Sequence, residues 1–330
     1  MFIFLMCSER SGSNVITKIM DAHHNICGPS PKHLFNPVTR NAFRYEPLSD
    51  KENWNALLAD IERLVGVSFS AWKTSFNRDN LLTLAPPGKL AELLRNIFLE
   101  EARAHEKQHC FVKENQVYEF TPFLLTHFPE ARFLYLVRDP RDMALSWSRN
   151  STHFGGIVHG AKQWKSDQQQ FMKNHATLRA KGLSRMIRYE GLVSAAEETV
   201  RAVCDFFGLP FDPRMLAFYE NELTRRNAQT LPAWENLAKP IINDNAGKYL
   251  QALSSDEIAL IEHLCLPEMH ALGYEPDTPL KTLETISPEQ VSKALQVETK
   301  TKPAAPEPEV QENMEAKRIF YQKRLGKLST

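Results

Sequence analysis

Short runs of apolar residues alternate along this chain with segments in which apolar residues recur every three or four positions. Two of the runs, Phe2–Met6 and Arg132–Val137, are continuous enough to predict strands buried on both faces of a sheet. His109–Val112 and Ser184–Arg188 predict two shorter strands. Because helical segments lie between the strands, the pattern predicts an α/β fold with a central, mostly parallel sheet flanked by helices.

End signals mark several of the helices. Asp139, directly after the second long strand, is followed by proline, which is typical of a helix start. Ser194 with Glu197, and Ser254 with Glu257, have the spacing of capping boxes that open two later helices. Periodicity alone predicts helices over Trp54–Val65, Lys89–Ala104 and Val117–His127.

Three segments lack a clear period or change in composition. Residues 28–50 contain several prolines and predict an irregular surface loop. Residues 276–312 become rich in proline and charge, which predicts a flexible linker after a folded domain at 1–275. Residues 313–330 predict a basic helix that docks on the body, on a second subunit as a homo-oligomer contact, or on nothing.

The composition is that of a neutral globular protein. Lysine and arginine number 40, as do aspartate and glutamate, so we expect no nucleic acid partner, and an anion site must be a local cluster. The five cysteines show no paired spacing, which argues against disulfides and zinc and favours buried apolar positions. The opening apolar run is too short for a signal peptide and no stretch predicts a transmembrane helix, so we expect a cytoplasmic protein.

The turn after the first strand has the chemistry of an anion-binding loop. Gly12 and the small hydroxyl residues around it leave backbone N–H groups unpaired where the next helix begins, and Arg10 adds a cation that can bridge two oxygens. A simple strand-to-helix turn is the alternative. A Walker A loop is disfavoured, because Ser13 follows Gly12 where that pattern requires lysine.

The turn after the second long strand offers a second anion site. Arg138 stands at the carboxyl end of the strand, where open α/β sheets bind their ligands, and Ser146 lies two helical turns further on. One guanidinium and one hydroxyl are donors suited to a terminal phosphate. The alternative is that Arg138 pairs with Asp139 or Asp142 and that Ser146 is a neutral surface residue.

Four segments, in order, resemble the sulfotransferases that use 3′-phosphoadenosine 5′-phosphosulfate (PAPS). SERSGSN resembles their 5′-phosphosulfate loop, and FPEARFLYLVRDPRDMALS closely resembles their 3′-phosphate motif. MIRYEGLVSAAEETVRAVCDFFGLPFD is similar to their R-Y-E-D-L segment, and DNAGKYLQALSSDEIALIEHLCLPEMHALGY to their C-terminal nucleotide loop. The resemblance covers residues 1–275 and implies a P-loop NTPase-like three-layer sandwich.

The resemblance also implies which residues bind the donor. The 5′-phosphosulfate would be held by the first turn, and the 3′-phosphate by Arg138 and Ser146, with Tyr189 and Lys248 as further nucleotide contacts. The residues assigned to the first turn are Arg10, Ser11, Gly12, Ser13 and Asn14. Sulfuryl transfer is then in-line, with Arg10 stabilising charge and with no metal required.

The general base is a separate question, since many relatives carry a glutamate or histidine after the strand that follows the first helix. Here His33 is the nearest suitable group, and a loop histidine without catalytic role is its alternative. Glu114 is the second candidate, with a helix N-terminal carboxylate as its alternative.

Two hypotheses on function follow. The first is an enzyme that transfers a sulfuryl group to a hydroxyl of a small molecule, carbohydrate, lipid or peptide. The second is a nucleotide-binding homologue that has lost transfer and acts as an interaction module, because Asn14 replaces the family's second hydroxyl and cannot mimic it fully. Arg10 also replaces the family's typical lysine, but arginine suits anion binding. Five aromatic residues are equally credible in an acceptor pocket or in the core: Phe35, Trp72, Trp147, Phe154 and Trp234.

Overall fold

The computed structural model describes residues 1–150, 152–242, 244–299 and 306–323. The strands are β1 (Phe2–Met6), β2 (Ile26–Cys27), β3 (His109–Lys113), β4 (Arg132–Val137) and β5 (Ser184–Arg188). The first eight helices are α1 (Ser13–Asp21), α2 (Phe35–Asn41), α3 (Lys51–Gly66), α4 (Arg78–Leu84), α5 (Leu90–Ala104), α6 (Thr121–His127), α7 (Pro140–Ser148) and α8 (Ile157–Ala180). The others are α9 (Tyr189–Ser194), α10 (Ala196–Phe207), α11 (Glu222–Ala228), α12 (Tyr249–Ala252), α13 (Ser255–Leu272), α14 (Leu280–Glu284), α15 (Pro288–Thr299) and α16 (Pro308–Gln322).

The five strands form one parallel sheet in the order β2-β3-β1-β4-β5. In the register of the central strand, Ile3 lies opposite Phe111 of β3 and Arg132 of β4. All carboxyl ends of the strands therefore meet at one edge of the sheet, and those of β3, β1 and β4 are neighbours there. This confirms the prediction of a central parallel sheet flanked by helices.

The sheet separates two hydrophobic cores, because successive side chains of a strand point to opposite faces. Phe2 and Phe4 of β1 pack into one core, whereas Ile3 and Leu5 pack into the other. The first core is covered by helices such as α3, α5 and α8, and the second by α1 and α10. The sandwich of helices, sheet and helices has the three layers that we expected.

Local predictions were confirmed at several helix ends. Asp139 caps α7, since its carboxylate accepts a hydrogen bond from the Arg141 amide at 2.8 Å. Ser254 and Glu257 form both hydrogen bonds of a capping box at the start of α13. The prediction of a capping box at Ser194 and Glu197 was wrong. The helix α10 begins at Ala196 with no side-chain cap, because a short helix, α9, occupies the chain up to Ser194.

The predicted irregular loop at 28–50 contains α2 and a 3-10 helix at Ala42–Tyr45. Proline occupies the third position of α2, where its missing N–H would have had no partner inside the helix. The carboxylate of Glu114 accepts hydrogen bonds from the amides of Leu34 and Phe35 at 2.7 and 3.0 Å. A cap from a residue some eighty positions away cannot be inferred from local periodicity, which is why the helix was missed.

The predicted linker at 276–312 differs from the structure, which has α14, α15 and the start of α16 within it. The carboxylate of Glu298, in α15, accepts hydrogen bonds from the amides of Val158 and His159 at 2.8 and 3.1 Å. These amides belong to the first turn of α8, where a negative charge is favourable. Residues 300–305 of the predicted linker lie outside the described residues.

The predicted C-terminal helix begins earlier than expected, as α16, and residues 324–330 lie outside the described residues. The helix packs on the body of its own chain. Asn313 donates a hydrogen bond to the carbonyl of Lys32 at 3.2 Å, and Glu312 accepts one from the Ser68 amide at 2.8 Å. Phe320 is fully buried beside Tyr45. A homo-oligomer through this segment stays a prediction.

All five cysteines are free and buried, as predicted. Among the described residues, no helix combines the length and the apolarity needed to cross a membrane. The cytoplasmic location stays a prediction.

Replacing Phe320 by alanine tests whether α16 is an integral part of the fold. We expect Phe320→Ala to lower the free energy of unfolding by about 3 kcal/mol, because a fully buried aromatic ring is lost. The measurement is urea unfolding followed by circular dichroism. Arg318→Ala, on the exposed side of the same helix, is the control and should stay within about 0.5 kcal/mol of wild type. Equal stabilities of the two variants would contradict the packing of α16.

Candidate active site

The turns that follow β1, β3 and β4 meet at the carboxyl edge of the sheet, where they line a cavity of about 750 Å³. Eight of the predicted site residues line it: Arg10, Gly12, Ser13, Asn14, Arg138, Ser146, Tyr189 and Lys248. His33 lines the same cavity. Segments far apart in the sequence are therefore brought together as the parallel topology requires.

The first turn is shaped as an anion cradle. Arg10 and Gly12 both have positive φ, at 63° and 85°, and α1 begins at Ser13 directly after them. The hydroxyl of Ser11 is buried and has no hydrogen-bond partner among the described residues. A buried donor without a partner is costly unless a ligand or water meets it. Ser11 itself is not among the residues that line the cavity.

Gly12 is required by its surroundings as well as by its backbone. A Cβ atom at this position would lie 2.3 Å from the ring of Tyr189. Tyr189 is buried, and its hydroxyl accepts a hydrogen bond from the Asn245 side chain at 2.6 Å. The predicted nucleotide residue Tyr189 thus supports the first turn from beneath.

Arg138 joins the two predicted anion sites. It is buried, and its guanidinium donates to the carbonyl of Arg10 at 3.1 Å and to that of Asn245 at 2.8 Å. It also lies over the ring of Tyr189, 4.5 Å from the ring centroid. Its Nε has no partner among the described residues. Arg10 Nε donates to the Ser146 hydroxyl at 3.1 Å, so the two sites are in direct contact.

The two arginines of the R-D-P-R-D motif have different partners. Arg141 forms ion pairs with Asp139, Glu262 and Asp277 at 2.7, 2.6 and 2.9 Å. These three carboxylates engage its guanidinium. The nearest carboxylate to Arg138, that of Asp142, is 3.8 Å away. The alternative, in which Arg138 pairs with an aspartate, is therefore correct only for this long contact with Asp142. Arg138 still has a donor available to a ligand, whereas the donors of Arg141 are engaged by carboxylates.

Asp142 has its own structural task. Its carboxylate accepts hydrogen bonds from the amides of Gly247 and Tyr249 at 2.7 and 3.0 Å. It thereby fixes the loop that carries Asn245 and Lys248 over the cavity. Lys248 is exposed at the cavity rim, where its ammonium can reach a ligand anion.

Lys113 is a site residue that the sequence reasoning missed. It is the last residue of β3, lines the cavity and donates a hydrogen bond to the side-chain oxygen of Asn14 at 2.8 Å. Burial lowers the pKa of Lys113 from its ordinary value. The rule that ligands bind at the carboxyl ends of parallel strands, which selected Arg138, would also have selected Lys113.

The two base candidates occupy different positions. His33 has positive φ, at 57°, and its buried Nδ1 has no hydrogen-bond partner among the described residues. Burial, together with the charges of Lys317 and Lys113, holds the pKa of His33 well below its ordinary value. The imidazole is therefore neutral near pH 7 and able to accept a proton.

Glu114 is not among the residues that line the cavity. One of its oxygens caps α2, and the other is buried without a partner in the described chain. Burial raises the pKa of Glu114 to about 7, although the amides of Phe35 and Leu34 oppose this shift. The structure thus places the Glu114 carboxylate at the start of a helix, which was the alternative to a role as general base.

Glu9 forms a separate polar cluster at the rim. His153 Nε2 donates to its carboxylate at 2.7 Å, and Asn115 donates to its other oxygen. Burial acts to raise the pKa of Glu9, but the bond from His153 and its charge lower that pKa to about 2. Glu9 is therefore ionised at neutral pH and engaged by two partners.

One wall of the cavity is apolar. We call it the apolar wall, and it consists of Phe69, Leu231, Trp234, Leu237, Val310 and Met314. Phe69 and Trp234 are in edge-to-face contact, with centroids 5.2 Å apart, and Phe69 also lies 5.9 Å from the His33 ring. Of the five aromatic residues considered for an acceptor pocket, Trp234 lines the cavity, whereas Phe35 is in the core.

Comparison with known proteins identifies the family to which this chain belongs. A family model described as "Sulfotransferase family" matches residues 3–213. Protein-tyrosine sulfotransferase A of Caenorhabditis elegans is 24% identical over 285 residues, which cover 84% of this chain and 68% of that protein. The protein-tyrosine sulfotransferase of Drosophila melanogaster is 23% identical over 283 residues, and this chain spans about half of it, 52%.

Two solved structures share the fold. The sulfotransferase domain from the curacin biosynthetic pathway has a TM-score of 0.55 at 18% identity, with 83% of this chain and 97% of that domain covered. The sulfotransferase domain of the Synechococcus PCC 7002 olefin synthase has a TM-score of 0.54 at 19% identity, with 84% and 95% covered.

The parallel sheet with an anion cradle after its first strand is thus the sulfotransferase fold. The chain belongs to the sulfotransferase family, and the prediction of a sulfotransferase is confirmed.

Replacing Gly12 by alanine tests the close approach of Tyr189 to the first turn. Gly182→Ala is a matched control, because Gly182 also has positive φ, at 67°, but a Cβ there would meet nothing within 4 Å. We expect the control to lose about 1 kcal/mol of stability through backbone strain. Gly12→Ala should lose about 1 to 3 kcal/mol more, since the Tyr189 ring must move. Equal losses in thermal unfolding would show that the contact does not constrain the turn.

Proposed function

We propose that this protein transfers a sulfuryl group from PAPS to an acceptor hydroxyl, with the donor held by the two turns that Arg138 joins. The observation that carries the proposal is the buried Arg138 guanidinium, whose Nε is unsatisfied within the described chain. It contacts the carbonyl of Arg10, whose own side chain contacts Ser146. PAPS supplies an activated sulfuryl group and leaves as 3′-phosphoadenosine 5′-phosphate (PAP).

The residues present fit a ligand with anionic groups at both ends. Ser11, the N-terminus of α1, Arg10 and Lys113 supply donors and positive charge at the first turn. Arg138, Ser146 and Lys248 supply them at the other end. Each set of residues includes one buried donor that has no partner in the described part of the chain, the Ser11 hydroxyl in the first set and the Arg138 Nε in the second.

Transfer breaks the bond between sulfur and the bridging oxygen, forms a bond between sulfur and the acceptor oxygen, and moves the hydroxyl proton to a base. Arg10, Lys113 and the amides of the first turn stabilise the charge that collects on the bridging oxygen. Burial of these donors in the cavity strengthens their effect, because they need not reorganise during the reaction.

His33 is the base that the geometry supports. Its Nδ1 has no partner among the residues that the structure describes, its ring borders the apolar wall, and it lines the cavity that contains the first turn. Glu114 stays a candidate, but its engaged oxygen caps α2 and it does not line the cavity.

The second hypothesis, a nucleotide-binding homologue without transfer, rested on Asn14. In the structure the Asn14 oxygen accepts a hydrogen bond from Lys113 and so positions a cation at the first turn. Asn14 therefore has a role compatible with transfer, and this contact favours the enzyme over the interaction module.

The acceptor class is open among small molecules, carbohydrates, lipids and peptides. Both curated relatives are named for protein tyrosine, so a phenol is a reasonable first acceptor to test. Sulfur-labelled PAPS is incubated with the protein and simple phenols or aliphatic alcohols. Acceptor-dependent labelling that Arg10→Ala abolishes supports the enzyme. PAP binding without transfer to any acceptor supports the module, and absence of PAP binding overturns both.

Arg138→Ala should weaken PAP binding about ten- to a hundredfold, and Ser146→Ala less, because the arginine contributes a charge as well as donors. Arg132→Ala is the control, since Arg132 begins the same strand at the opposite edge of the sheet. Isothermal titration with PAP measures all three. An affinity of Arg138→Ala equal to that of the control would remove Arg138 from the donor site.

The pH dependence of kcat/KM separates the two base candidates. The base must be unprotonated, so activity falls as the pH falls through its pKa. With His33 as base, activity should stay level from pH 8 to about 6.5 and fall only below, because the pKa of His33 is held well below its ordinary value.

With Glu114 as base, the fall would centre on pH 7, where burial places its pKa. We expect His33→Gln to lower kcat about 10²- to 10⁴-fold and Glu114→Gln to retain most of it. The reverse pattern would assign the base to Glu114.

A further inference from the structure

One face of α16 forms part of the cavity, although the helix begins at Pro308, well beyond Lys248, the last residue predicted to contact the donor. Val310, Asn313, Met314 and Lys317 line the cavity with the three-, four- and seven-residue spacing of a single helix face. Val310 and Met314 belong to the apolar wall. Lys317 is the cation that this helix adds to the cavity.

The ammonium of Lys317 is available for a ligand as far as the described residues show. Within the described ranges it forms no hydrogen bond and no ion pair, although its side chain is half-buried. Burial lowers its pKa, and the charges of Glu9 and Glu114 act against that shift. An ammonium has three hydrogen-bond donors, and partial burial removes some of the water that would satisfy them. An anionic ligand would replace those lost hydrogen bonds and pair with the charge.

The two carboxylates that influence Lys317 are already occupied. Glu9 is held by His153 and Asn115, and Glu114 accepts the amides that begin α2. Neither lies within 4 Å of the Lys317 ammonium. The cation therefore remains available to a molecule that enters the cavity.

We propose that Lys317 binds an anionic group of the acceptor, so that the enzyme selects hydroxyl compounds with an apolar body and a carboxylate. The apolar wall accommodates the body, and Lys317 pairs with the carboxylate. His33 borders the same wall, which places a proton acceptor beside it. The inference rests on the proposed function.

The donor does not require Lys317. The first turn with Lys113 can bind one end of the donor, and Arg138 with Ser146 and Lys248 can bind the other. Lys317 belongs instead to the helix that supplies two residues of the apolar wall. If Lys317 did bind the donor, its substitution would change the affinity for PAP, so the experiment distinguishes this case.

The test uses two pairs of hydroxyl compounds that differ in one charge: 3-(4-hydroxyphenyl)propionate with its amide, and 10-hydroxydecanoate with 1,10-decanediol. Binding to the full chain is measured by titration calorimetry with and without PAP, and sulfation is measured with labelled PAPS. In wild type we expect at least one carboxylate to bind about ten- to a hundredfold more tightly than its neutral partner.

Lys317→Ala and Lys317→Met should remove that preference, Lys317→Arg should restore much of it, and Lys317→Glu should reverse it, so that the neutral member of each pair binds more tightly than the carboxylate. All four should bind PAP as wild type does. Arg318→Ala, one position along on the exposed side of the helix, is the matched control and should keep the preference.

Two results would overturn the inference. The first is that no pair shows a difference between its members in wild type. The second is that the Lys317 variants lose PAP affinity together with turnover of charged and neutral acceptors alike, which would place Lys317 at the donor. Failure of wild type to bind PAP would refute the proposed donor instead, and the charge preference can still be measured without PAP.

Discussion

The arrangement of the site depends on burying one guanidinium, that of Arg138. A buried cation must have hydrogen-bond partners, and Arg138 obtains them from the carbonyls of two remote segments, at Arg10 and Asn245. Tyr189 supports it with the face of its ring. The charge thus joins the turn after β1, the end of β4, the end of β5 and the loop before α12. Because Nε remains unsatisfied in the described chain, the same interaction that organises the site also leaves it ready for an anion.

The fold could be predicted where local physics decides it. Continuous apolar runs gave the bounds of β1 and β4 correctly, because such runs in a parallel sheet are buried on both faces. The prediction failed where a remote group decides the structure. The cap of α2 comes from Glu114, and α15 is anchored where its Glu298 meets the amides at the start of α8. Neither contact leaves a periodic signal in the segment that it orders.

The residues of the candidate site also divide into those that local sequence rules predict and those that depend on tertiary contacts. The residues of the two turns could be predicted, since chemistry at the carboxyl ends of parallel strands follows from topology. Lys113 satisfies this rule and could have been found with it. Lys317 could not, because the pattern that predicts a basic helix over residues 313–330 does not indicate that one face of this helix will line the cavity. Burial of Phe320 beside Tyr45 explains that return in physical terms, but it is a tertiary contact.

The docking of α16 divides the cavity between two parts of the chain. The donor turns belong to the sheet and are constrained by the buried network around Arg138, where most substitutions would disturb several segments at once. The part of the cavity that α16 contributes is held separately, by contacts of the helix with the body such as those of Asn313 and Phe320. Substitutions at positions 310, 314 and 317 could therefore alter acceptor choice while the donor site stays intact, so one scaffold could diversify its acceptors during evolution through its C-terminal segment alone.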